Sequence, residues 1–188
     1  MFYEDMSPYT YAGDEDTFSD ADDPLRDVCF RPAYERLNIG WLSAEHPWPS
    51  GPAPTGFVDR LLTILESQQV NAMLGLHDCD LCTEPLPFSH PWYEPRSGHR
   101  CASEATGEIR VPNTSDGPGP ADGPGTPTVF AAPYLVGHYV ADHGYLPPRP
   151  FVDAVMAFDP YGVRSARFPG VRFPLVPEDA VSRHADEE

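Results

Sequence analysis

Proline and glycine constrain this chain more than any other feature, with 24 and 15 of them spread over 188 residues. Proline removes a backbone donor and fixes φ, so a regular element ends or bends wherever proline falls inside it. Helices and strands must therefore be short and the connections between them long. A chain of this length builds one domain with a sizeable core, and two comfortable domains would need more. The expected fold class is α+β: a small loop-rich single domain with a short antiparallel hairpin or sheet, two to three helices and a zinc knuckle.

Local patterns divide the chain further. Residues 1–23 carry eight acids and no base, yet Phe2, Tyr3, Tyr9, Tyr11 and Phe18 argue against plain disorder. The segment reads as an irregular acidic arm that lies on the domain through its rings. From Pro24 to Pro54 the prolines around Trp41 and Trp48 predict an extended, packed wrapping segment. "PTGFVDRLLTILES" is a helix by its three- and four-residue apolar spacing, with Thr55 placed to cap it. "NAMLGLH" reads as a strand that delivers His77 at its end.

"GEIRVP" and "TVFAAP" pair as a hairpin, and residues 112–127, with nine Pro or Gly in sixteen positions, read as a flexible insertion at its tip. "APYLVGHYVADHGY" is a second helix, with Pro133 in its first turn and Gly144 at its end. "FVDAVMAF" makes a third. Residues 24–160 form the expected metal-binding domain, and residues 161–188 an edge strand or extended arm followed by a frayed acidic tail.

All 12 basic residues are arginine and the formal charge is −17. A lysine-free chain poor in Ile and Asn has the bias of a GC-rich genome and predicts a high-GC bacterial source. The charge repels phosphate backbones and anionic lipid, which excludes nucleic acid and membrane as general partners. No apolar run approaches the roughly 18 residues of a membrane span, and no leader pattern opens the chain. A cytoplasmic protein is expected, with its cysteines kept as thiols or metal ligands.

The densest chemistry is in "LHDCDLC". Cys79 and Cys82 have the two-residue separation at which one tight turn aims both sulfurs at one ion. His77, two residues before Cys79, shares its face in an extended segment. The second helix adds His138 and His143, five residues apart and therefore about 140° around a regular helix. One helical histidine is expected at the ion, and two only if the helix unwinds near Gly144. Asp142 could hold the other ring nitrogen of His138, or be an exposed helix-end acid.

Redox chemistry is the competing reading of the cysteine pair. A redox C-x-x-C opens a helix whose dipole lowers the thiol pKa, whereas here Asp78, Asp80 and Glu84 crowd the motif and oppose ionisation. A plain buried thiol pair is the other alternative. Zinc is favoured over iron because two thiolates with imidazole suit a redox-inert tetrahedral ion. With four protein ligands the metal would be structural, and with three it would hold water and allow catalysis. Glu108 is the candidate general base in that case, or else a solvated strand residue. Cys101 and His90 read as a surface thiol and a packed loop residue.

Taken together, "YEDMSPY", "IGWLSAEHPWPSG", "HDCDLC", "GEIRV" and "YLVGHYVADHGYLPPRPFVDAV" resemble an uncharacterised family of small, acidic proteins of high-GC bacteria. The resemblance runs from about residue 2 to residue 155 and implies one domain, without an assigned activity. It implies His77, Cys79, Cys82, His138 and His143 as the positions matching the family's His-x-Cys-x-x-Cys segment and HY…HGY helix. Cys101 and the Pro/Gly-rich insertion fall outside that pattern.

Three functions are therefore expected to compete. The first is a small soluble zinc-binding protein with a mainly structural metal and a surface for a small molecule or a protein partner. The second is a zinc-dependent enzyme acting on a small molecule in specialised metabolism. The third is an acidic inhibitor or immunity-like protein that masks a basic partner.

Overall fold

The computed structural model describes residues 1–82, 103–113 and 126–184. Cys101, His90, most of the Pro/Gly-rich insertion and the end of the acidic tail lie outside the described residues. The fold is α+β, built on one sheet of seven strands in the order β3-β6-β5-β4-β1-β2-β7. The strands are β1 (Asp16–Asp20), β2 (Asp23–Phe30), β3 (Glu35–Asn38), β4 (Val70–Asp78), β5 (Ser103–Pro112), β6 (Thr128–Pro133) and β7 (Val181–His184). Neighbours run antiparallel except β3 and β6, which pair parallel from Glu35 opposite Thr128 to Asn38 opposite Ala131. The helices are α1 (Phe57–Ser67), α2 (Val136–His143) and α3 (Arg149–Ala157).

The sheet is larger than the short hairpin or sheet that the proline content predicts. Composition reads residues 1–23 as an irregular arm, but Asp16–Asp20 pairs with both β2 and β4. The segment from Pro24 likewise holds all but the first residue of the eight-residue β2. Both strands are stabilised by partners distant in sequence, and such pairing overrides local composition. The rest of the arm does lie on the domain. It hydrogen-bonds along β3, with Tyr9 N–H donating to the Arg36 carbonyl at 2.9 Å and Asn38 N–H to the Ser7 carbonyl at 2.9 Å, which covers an otherwise open sheet edge. Tyr3 and Tyr11 pack around Trp41.

Alternation along the strands sorts two chemistries onto the two faces. In β5, Ile109 and Val111 join the helix-side core with Phe57, Leu61, Ile64 and Phe130. The intervening Glu108 and Arg110 point the other way and are 1% and 0% exposed. There Arg110 binds Asp16 through two nitrogens and Glu108 through the third, with contacts of 2.7 and 2.6 Å to the two carboxylates. Arg36 adds a second cation, 3.0 Å from Asp16. Two acids and two bases thus cancel in a buried network, a solution that satisfies each desolvated charge.

The helices follow their apolar spacing, with local differences. The N-cap of α1 is Gly56, and no side chain caps it, so Thr55 does not serve as expected. Pro133 ends β6 rather than opening α2. The α2 helix does end at Gly144, whose φ of 65° is the left-handed geometry that glycine adopts without strain. It packs closely on α1 at Gly137, where a Cβ would come within 2.7 Å of Leu65. Among the described residues no helix is long and apolar enough to cross a membrane.

Candidate metal centre

Strand β4 ends at Asp78, and the chain then turns through Asp80 and Leu81. This turn presents Cys79 and Cys82 to one side. The backbone N–H groups of Leu81 and Cys82 point at the Cys79 sulfur, an arrangement that favours a thiolate. Burial is the larger influence and pushes the Cys79 thiol up in the absence of a metal. The turn is tied to the segment between β3 and α1 by the Ala44 N–H, which donates to Asp80 at 3.3 Å.

The end of α2 supplies the other half. Cys79 Sγ lies 3.4 Å from His143 Nε2, and Cys82 Sγ lies 3.3 Å from His138 Nε2 and 3.5 Å from His143 Nε2. The two Nε2 atoms are 3.1 Å apart. All four donor atoms fall within 4.8 Å of one another, so Cys79, Cys82, His138 and His143 could hold a metal ion together. Their elements are brought together by the apolar core, which includes Cys79, Leu135, Tyr139 and Val140.

Two histidines, rather than the one expected from helical geometry, reach the cluster. The closing hydrogen bond of α2 runs from the Gly144 N–H to the Tyr139 carbonyl, five residues back. The Tyr145 N–H donates to the same carbonyl at 3.0 Å. A turn closed over five residues is wider than the α-helical one and brings positions i and i+5 nearer one face. The helix is continuous to His143 and turns out of its axis only at the left-handed Gly144.

Asp142 proves to be a partner of His138, with Oδ2 2.6 Å from Nδ1. Its side chain is 22% exposed. A proton on Nδ1 leaves the Nε2 lone pair aimed at the sulfurs, and the carboxylate makes that nitrogen a better donor.

His77 stands apart from this cluster. It is exposed and lines a cleft beside it, because the strand ends before Cys79 and the turn breaks the alternation that would have put both on one face. Glu108 is not a solvated strand residue either. Its Oε1 accepts from the Tyr9 hydroxyl at 2.7 Å and its Oε2 from Arg110 at 2.6 Å. The sequence signal for this role was present in "GEIRV", where an acid and a base alternate with apolar residues on a strand. Sequence reasoning missed Arg110 and Asp16 for want of the pairing partner.

A family model described as a domain of unknown function (DUF7919) matches residues 1–156. The matched span covers both halves of the Cys/His cluster. No curated protein and no solved structure matches the chain.

Proposed function

The chain belongs to the DUF7919 family of domains of unknown function, and we propose that it is a cytoplasmic zinc-binding protein whose metal is structural. Cys79, Cys82, His138 and His143 are the proposed ligands. The observation that carries this reading is the set of donor separations. With Zn–S near 2.3 Å and Zn–N near 2.0–2.1 Å, a tetrahedral site places sulfur and nitrogen about 3.5 Å apart and two nitrogens about 3.3 Å apart. Three of the four sulfur–nitrogen contacts are 3.3–3.5 Å and the two nitrogens are 3.1 Å apart, with all four donors inside 4.8 Å. Two sulfurs and two imidazoles in this arrangement suit zinc.

The metal would clasp the turn after β4 to the end of α2, joining positions 64 residues apart for Cys79 and His143. In a chain with so many prolines, that link holds loops that core burial alone leaves loose. The beneficiary is a ligand- or partner-binding surface next to the centre. A catalytic zinc needs an open coordination position, and four protein donors leave none. The base such a mechanism would use, Glu108, is already held by Arg110 and Tyr9.

Metal analysis with X-ray absorption at the zinc edge, on protein purified without a histidine tag, tests the proposal. One zinc per chain with two sulfur and two nitrogen neighbours supports a structural site. A coordinated light oxygen in place of one residue, or protein that is metal-free and equally stable, overturns it.

A further inference from the structure

A small cleft opens beside the cluster, with about 60 Å³ of interior space. That is room for one compact head group, well below the about 300–1,000 Å³ of sites that enclose a whole ligand. Four aromatic side chains line it: Tyr11, Trp41, Tyr134 and Tyr139. The polar ends of two of them are engaged in the fold. Trp41 Nε1 donates to the Ala131 carbonyl at 3.2 Å, and the Tyr134 hydroxyl to the Gln68 carbonyl at 2.8 Å. These rings therefore offer the cleft their faces and edges rather than their polar atoms.

Such a wall discriminates among ligands. A ligand rich in hydrogen-bonding groups would lose its water without full replacement. An anion meets a chain of net charge −17 and the negative faces of the rings. A cation is favoured on both counts, with Met1, which carries the α-amino group, and His77 as the opposing residues of the lining. A quaternary ammonium fits best, because its methyl groups match the apolar wall and it has no N–H to satisfy.

We propose that the cleft bounded by Tyr11, Trp41, Tyr134 and Tyr139 binds a small molecule through its trimethylammonium group. The proposal rests on the structural-metal reading only through Tyr139, which sits on α2 between the two histidines.

Calorimetric titration of the full, zinc-loaded chain with choline and with its uncharged carbon isostere 3,3-dimethylbutan-1-ol tests it. Choline is expected to bind roughly tenfold more tightly than the isostere. Tyr11→Leu, on a half-buried ring, is expected to weaken choline by about fivefold or more, while Tyr11→Phe keeps affinity within about twofold. Equal affinity for the two probes, or no choline binding up to about 10 mM by zinc-loaded protein, overturns the proposal. Zinc content measured on the same samples keeps the two readings apart: choline binding by metal-free protein would support the cleft and overturn the structural metal.

Discussion

The imidazoles of His138 and His143 meet at nearly a right angle, with Nε2 atoms 3.1 Å apart, although five residues separate them on one short helix. A hydrogen bond between the two rings accounts for one of these contacts, and not for the convergence of both nitrogens on two sulfurs. An ion in the middle gives that convergence a reason. The five-residue closure at Gly144 makes it geometrically available.

Removing one ligand should remove the metal and much of the fold's resistance to heat. Cys82→Ser, or a strong chelator on the native chain, is expected to cost about 3 kcal/mol or more, which for this size lowers the melting temperature by roughly 6–12 °C. Calorimetric melting beside a zinc assay measures both. Unchanged melting after complete zinc removal would contradict a structural role.

Asp142 would act on the proposed metal through His138. The Asp142→Asn change keeps the shape but removes the charge, and zinc affinity should fall by about 10–100-fold. Competition with a chromophoric chelator at fixed pH reads the change. The fold should persist, because Asp142 is only half-buried at the helix end.

Replacing Arg110 isolates two buried acids. Arg110→Met leaves Asp16 and Glu108 without their shared cation and should cost about 3–5 kcal/mol. The urea midpoint should fall accordingly while zinc stoichiometry stays at its native value. A loss below about 1 kcal/mol would mean that Arg36 alone holds the network.

Acid should act on the same network with a defined sign. Burial would push the Asp16 carboxyl up, but Arg110 and the Tyr34 hydroxyl more than offset it and hold it below the usual carboxylate range. Its stabilisation is therefore present above about pH 4, the unfolded value, and is lost as pH falls through the folded value. Asp5 has the opposite sign, because burial raises it, and it takes up a proton with a gain in stability as pH falls toward 4. Urea midpoints of native protein and Asp16→Asn, compared from pH 6 to pH 3, should converge at the acid end. The comparison cancels acid release of metal, which affects both.

Gly144 joins backbone geometry to the centre. Its φ of 65° makes Gly144→Ala cost about 1–2 kcal/mol, although a Cβ there would meet no neighbour within 4 Å. Weaker zinc binding should accompany the lower melting temperature, since the same turn orients His143. A stability loss with zinc affinity untouched would separate the turn from the site.

Much of this protein follows from residue type and spacing alone. Short-range signals were enough for α1, whose apolar face repeats every three or four residues, and for the β5–β6 hairpin, whose strands alternate. They were enough also for the helix stop at Gly144 and for a cysteine pair able to turn on one ion. Each depends on residues within one or two turns of each other. The contribution of β1 and β2 to the sheet, the exclusion of His77 from the cluster and the burial of Glu108 depend on partners far along the chain. Asp16 meets Arg110 across 94 positions, and only sheet register decides that contact. Sequence by itself determined which elements could form and which side chains could bind a metal. Tertiary structure decided which of them share a face, because strand pairing and helix packing are set by the burial of the whole core rather than by any local pattern.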